Sequence, residues 1–377
     1  MDPATAALCD ALQQHGCVTP ALVIDVERAA ANIAAMIRWL GDAARWRPHV
    51  KTVKQSRIVA LLLDAGVRSF KCATLPELAL VLRTATQADI GVDVVLAHPL
   101  PPARVPELVA LARRFPSARV GLVADAPDAL AAWPAEADAL ALWLDVDLGM
   151  HRTGCAPAVW SAWLRSAAAA GRRVVGLQGY EGHLGWDDRA AAHAAYDALC
   201  GLAREIDGLQ VVLTSGSHGF AHARAHAGLR EGPWQHQIGA GTLVLSDLAS
   251  ARPAAALGVV PAAFVAARVI AAPQADRITL DAGSKAITPD RGPPSCAVLG
   301  YPGLQPQRAS EEHLPLVVSA PPVPPRDAIV LLVPDHVCTT VNLHREAIYV
   351  AGARILGTGA IEAAGREPPL PHARVPA

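Results

Sequence analysis

The chain has no excess of charge of either sign: 33 Lys and Arg balance 34 Asp and Glu over 377 residues, for a formal charge of -1. No basic block of the kind that tracks a phosphodiester backbone occurs, so nucleic acid is not an expected partner. No apolar run reaches the roughly 18 to 20 residues a bilayer span needs, and residues 1–17 contain acids but no basic leader. The expectation is a cytoplasmic protein without a membrane partner. There is no Cys-x-x-Cys pair; the seven cysteines (Cys9, Cys17, Cys72, Cys155, Cys200, Cys296, Cys338) form an odd set and are read as reduced thiols. The first βα turn has no G-x-G-x-x-G, and no strand is followed by G-x-x-x-x-G-K-[ST], which removes support from nucleotide-binding folds.

What is present suits two domains. From Ala21 to about Asp247, short β-branched runs alternate with longer Ala/Leu-rich stretches at helical spacing, the pattern of repeated βα units. Eight strand candidates follow: Ala21 to Asp25, Trp46 to Val50, Ser69 to Ala73, Asp93 to Ala97, Arg119 to Val123, Ala141 to Asp145, Val174 to Gln178 and Leu209 to Leu213. Eight consecutive units favour a closed barrel over an open doubly wound sheet. After about Ala255, Pro and Gly recur every few residues between short alternating runs, the texture of β structure. The predicted class is therefore α/β, a (β/α)8 barrel over residues 18–250 followed by a mostly-β domain over 251–377, to which 1–17 can also belong.

In such barrels chemistry collects at the carboxyl ends of the strands. The second candidate strand runs into Arg47-Pro48-His49-Val50-Lys51-Thr52, placing Lys51 at the mouth, where partial desolvation would free its amine for an aldehyde. The sixth runs into Asp145 to Gly154, with Arg152 able to face an anionic ring oxygen. The seventh ends in Gly179-Tyr180-Glu181-Gly182-His183, offering an aromatic plane at Tyr180 and an imidazole at His183. The eighth leads to Thr214-Ser215-Gly216-Ser217-His218-Gly219, whose small residues can converge on a phosphate, with Gly241 and Thr242 closing the cradle. In the second domain, His336 and Cys338 stand two residues apart, so an extended segment projects both to one face, and imidazole with thiolate suits zinc.

Taken in order, these segments resemble the fold-type III pyridoxal phosphate family of D-threonine aldolases and eukaryotic-type D-serine dehydratases, which share an alanine racemase-like barrel. The matching stretches are Arg47 to Thr52, Asp145 to Gly154, Asp281-Ala282-Gly283-Ser284-Lys285, Ser310-Glu311-Glu312-His313 and Pro334 to Leu343. The resemblance implies Lys51 as the Schiff-base residue and Tyr180 with Arg152 near the coenzyme ring. It further implies Ser215, Gly216, Ser217 and Gly219 with Gly241 and Thr242 at the phosphate, and His336 with Cys338 at a divalent metal. His183 is held as a second catalytic candidate. Val53, His218 and Leu243 depart from the family pattern and leave the substrate open.

The implied activity is a lyase acting on β-hydroxy-D-amino acids, either D-serine dehydration or a retro-aldol on D-threonine or 3-hydroxy-D-aspartate. The resemblance associates His-x-Cys with zinc-dependent dehydratases, which favours D-serine and favours zinc over manganese or magnesium. A racemase on this fold would need a second base opposite the coenzyme, and in the second domain only Tyr301 and Tyr349 remain for it. A non-catalytic pyridoxal phosphate carrier is the reading from a different class, and carriers of this fold are single barrels. The family also implies a homodimer.

Overall fold

The computed structural model describes residues 2–169 and 171–367. They divide into two compact units: 37–51, 59–241 and 366–367 form one, and 2–36, 52–58 and 242–365 the other.

The first unit holds seven parallel strands paired in chain order: β1 (Ser69–Cys72), β2 (Asp93–Leu96), β3 (Arg119–Ala124), β4 (Ala141–Val146), β5 (Val174–Gly179), β6 (Val211–Thr214) and β7 (Gln235–Ile238). Residues 46–49 close the cylinder, with Trp46 bridging Ile238 and His49 bridging Lys71, both in parallel. Arg47 N–H donates to the Ile238 carbonyl at 3.0 Å and Lys71 N–H to the Pro48 carbonyl at 3.1 Å. Pro48 has no N–H to donate, so this eighth position is a pair of bridges instead of a continuous ladder. The arrangement is a (β/α)8 barrel. Its interior is packed by Val95, Val123, Trp143, Val211 and Leu213. Trp143 fits because Gly121 and Gly176 leave room: a Cβ on Gly121 would stand 2.7 Å from the indole nitrogen.

One strand assignment is corrected. Ala21–Asp25, expected to open the barrel, lies in the other unit, parallel to Glu346–Ala351 and antiparallel to Ala263–Gln274. The barrel strand in its stead is β7, whose Gln-His-Gln-Ile sequence carries no apolar alternation. Two of its polar side chains are buried but bonded: His236 Nε2 lies 2.9 Å from Thr214 Oγ1, and Gln237 Oε1 accepts from Arg47 Nε at 2.6 Å. Arg47, itself fully buried, also donates to Asp93 Oδ1 at 3.0 Å and stacks 4.8 Å from the Trp143 ring. Inside a closed cylinder such groups are tolerated only when paired.

The second unit is a nine-stranded sheet with Ala21–Asp25 near its middle. Along Ala263–Gln274 the side chains alternate between two cores. Val265, Ala267 and Val269 join Leu280, Leu314 and Leu316, whereas Phe264 and Ala266 join Leu8, Leu12 and Leu331. The helix Pro3–Gln14 supplies Leu8 and Leu12; its first turn is capped by Asp2, which accepts from Ala4 and Thr5 N–H at 3.1 and 3.0 Å. The β region thus begins in the first residues of the chain and resumes at residue 242.

Candidate active site

Polar side chains gather at the carboxyl ends of the barrel strands. Lys51 follows the closing segment in a single 3-10 turn, Val50–Thr52. Its side chain is exposed, which corrects the expected desolvation, and the amine has no partner among the described residues. The desolvated lysine is Lys71, one strand over on β1 and 8 % exposed. Burial pushes its pKa down to about 8; Asp145 acts against that, and the nearby Lys51 and Arg152 cations add to it. Lys71 Nζ lies 5.8 Å from the Tyr180 ring centroid, and the Arg152 guanidinium 4.9 Å from the same ring, so Tyr180 carries two cations. Asp145, at the end of β4, is buried and accepts from Gln178 Nε2 at 2.9 Å and Thr153 Oγ1 at 2.7 Å. Burial raises its pKa against the pull of those two bonds. His183 is exposed, with no described partner; a Cβ on Gly149 would come within 3.4 Å of its Nε2, so the loops after β4 and β5 meet there.

The loop after β6 is built for close approach. Ser215 takes φ +68, its hydroxyl lies 3.0 Å from Tyr196 Oη, and both groups bond the buried Glu181, whose pKa burial drives upward. A Cβ on Gly216 would stand 3.1 Å from the Tyr180 ring, and one on Gly219 would collide with Glu181 Oε1. Gly241 is closed to a side chain by the His49 backbone. Ser217 Oγ is buried without a hydrogen-bond partner. An orphaned hydroxyl among glycines, with an exposed amine that has no partner among the described residues and an aromatic plane in the same unit, fits a pyridoxal phosphate group: an acceptor for the hydroxyl, an aldehyde for the amine, a ring for the plane.

The second cluster lies within the β unit. The extended segment expected here is corrected: His336 stands at the start of the short helix Val337–Leu343, which carries Cys338, and its Nδ1 lies 2.6 Å from Asp290 Oδ2. Its pKa is raised to about 9 by its bond to Cys338, with burial opposing and Asp290 adding. Cys338 Sγ lies 3.1 Å from Thr52 Oγ1 and 3.4 Å from Thr242 Oγ1. Among the described residues no three His, Cys, Asp or Glu side chains gather around one point. Imidazole and thiol side by side, one ring nitrogen held by a carboxylate, fit a two-ligand metal site open to other donors.

Lys51, Arg152, Tyr180, Ser215, Gly216, Ser217, Gly219 and Gly241 thus share the barrel mouth, while His336, Cys338 and Thr242 belong to the β unit. Lys71, Glu181, Thr52 and Asp290 were missed. Lys71 had a readable signal: a lysine between Phe70 and Cys72 in a strand with no solvent face. The others had none, since each gains its place from a partner remote in sequence.

The fold defines the class, an alanine racemase-like barrel with an appended β unit. The family model described as "Alanine racemase, N-terminal domain" matches residues 24–231, and "Putative serine dehydratase domain" matches 262–350. The chain is 30% identical over 353 residues to a D-threonine aldolase of Arthrobacter sp, covering 88% of this chain and 89% of that protein. It is 33% identical over 141 residues to the D-threo-3-hydroxyaspartate dehydratase of Delftia sp. (strain HT23), 36% of this chain and 35% of that one. The solved structure of that dehydratase superposes with TM-score 0.73 at 25% identity, covering 91% of this chain and 97% of that one. The D-threonine aldolase of Filomicrobium marinum superposes with TM-score 0.79 at 24% identity over 92% and 96%, a likeness of fold. The chain belongs to the fold-type III pyridoxal phosphate family that contains the D-threonine aldolases and D-serine dehydratases.

Proposed function

We propose that this protein is a pyridoxal phosphate- and metal-dependent lyase of β-hydroxy-D-amino acids, working as a homodimer, with dehydration of D-serine to pyruvate and ammonia as its reaction. The observation that carries the reading is the exposed Lys51 amine at the rim, without a partner among the described residues, in the same unit as a glycine-rich loop with an orphaned Ser217 hydroxyl. Lys51 would hold the coenzyme aldehyde. Ser215, Gly216, Ser217, Gly219 and Gly241, with Thr242, would take its phosphate, and Tyr180 with Arg152 its ring. When bound, the coenzyme supplies an electron sink for charge at the substrate's α-carbon. His336 and Cys338 would hold a divalent ion, zinc by the softness of the thiolate, and that ion supplies Lewis-acid polarisation of a hydroxyl oxygen.

The chain's own groups supply the rest. Lys71, with an amine that titrates near 8, can take or release a proton at Nζ beside Tyr180. His183, exposed at the junction of two rim loops, is available as a second proton carrier. Asp145 stays fixed by Gln178 and Thr153 and keeps negative charge or a proton within reach of Lys71.

A second reading is supported by the likeness to a D-threonine aldolase over 88% of the chain: retro-aldol cleavage of D-threonine, or lysis of 3-hydroxy-D-aspartate. The deciding assay offers D-serine, D-threonine and D-3-hydroxyaspartate with pyridoxal phosphate and zinc and scores keto acid against aldehyde. Pyruvate from D-serine without aldehyde supports dehydration. Glycine with acetaldehyde would replace it by the aldolase reading, and no turnover of any D-amino acid, with coenzyme bound, would point to a carrier.

A further inference from the structure

We propose that Asp290 is a positioning residue for the metal site, holding the His336 ring by Nδ1 so that its other nitrogen is presented to a divalent cation. The inference rests on the reading of His336 and Cys338 as metal ligands. Asp290 Oδ2 lies 2.6 Å from His336 Nδ1. A carboxylate oxygen at that distance accepts a hydrogen, so Nδ1 carries a proton and Nε2 is the ring nitrogen that a cation would take in place of its present bond to Cys338. The same carboxylate oxygen takes a long bond of 3.5 Å from Thr339 Oγ1, on the helix that carries Cys338.

The loop bearing Asp290 is tied to that helix a second time. Asp290 N–H donates to Thr288 Oγ1 and Thr288 N–H to Thr340 Oγ1, both at 3.4 Å, and Thr340 Oγ1 donates to the His336 carbonyl at 2.9 Å. The carboxylate is thus held in register with the imidazole by backbone contacts that survive loss of its side chain. The His336 and Asp290 side chains are 22% and 37% exposed, and an ion pair so exposed adds little to stability, so removing it is expected to leave the fold intact.

The test compares Asp290→Ala, Asp290→Asn and His336→Ala with the unaltered protein by zinc competition against a chromogenic chelator, the coenzyme absorbance serving as the check on folding. Asp290→Ala should weaken zinc binding roughly 10- to 100-fold with the coenzyme band intact. Asp290→Asn, which keeps a carbonyl acceptor for Nδ1–H, should retain most of the affinity. Zinc affinity of the alanine variant within about twofold of the original would overturn the proposal. So would a loss as deep as that of His336→Ala in both variants, which would make Asp290 a ligand itself. If His336→Ala keeps its zinc, the underlying assignment of the ligands fails instead.

Discussion

Two lysines stand at neighbouring positions of the barrel rim, and their surroundings divide their chemistry. Lys51 is exposed and, among the described residues, unpaired, so it meets a dissolved aldehyde first; Lys71 is buried, which pushes its pKa down to about 8. With pyridoxal phosphate bound and reduced by borohydride, the digested protein should carry its pyridoxyl label on the peptide containing Lys51, and Lys51→Ala should lose that label. A label on the Lys71 peptide of the unaltered protein would reverse the assignment. Lys71 makes a second prediction, through stability. Its native pKa of about 8 lies below the ordinary 10.5 because burial penalises the ammonium. Between those values the unfolded chain keeps a proton that the native site has shed, so the cost is full below pH 8 and is relieved as pH climbs toward 10.5. Lys71→Met should therefore stabilise the protein by about 3 kcal/mol at pH 7, and the gain should fade at alkaline pH. Urea midpoints at pH 7 and 10 measure this, and a gain that does not depend on pH would refute it.

At the level of loops and strands, the barrel rim depends on backbone approaching backbone. Gly241 lies against the His49 main chain, where a Cβ would overlap the carbonyl oxygen. Gly241→Ala should cost about 1–3 kcal/mol by overpacking and weaken coenzyme binding, read by melting and by coenzyme titration. Gly201, inside the helix Arg189–Arg204 with open space around its Cβ position, is the control: Gly201→Ala should stabilise by about 0.5–1 kcal/mol. If both substitutions behave alike, steric approach is not what holds the Gly241 turn. Much of this level was legible. Six of the eight expected strands sit in the parallel sheet because a run such as Asp93-Val94-Val95-Leu96, buried on both faces, announces itself by apolar continuity. β7 did not, because its buried His236 and Gln237 are satisfied by Thr214 and Arg47, and hydrogen bonding between remote residues has no local pattern.

For the whole molecule the consequence is that the β unit cannot be built from the second half of the chain. Ala21–Asp25 separates two strands of its sheet, and Leu8 and Leu12 pack on Phe264 and Leu331. A chain lacking residues 2–25 should expose that face and aggregate; a soluble, cooperatively melting product would show that the sheet closes without it. Chemistry-bearing residues were readable wherever their neighbours along the chain set their place. Lys51 beyond a strand end and the Ser-Gly-Ser loop are of this kind, whereas the expected extended step from His336 to Cys338 is not, because Cys338 lies in the helix Val337–Leu343. Alternation, turn chemistry and short spacings are properties of a few adjacent residues, and such features survive in the bare string of letters. Which sheet receives Ala21–Asp25, which lysine loses its water, and which carboxylate meets His336 depend on contacts across tens to hundreds of residues. Burial and pairing of that range exist only once the chain has closed on itself.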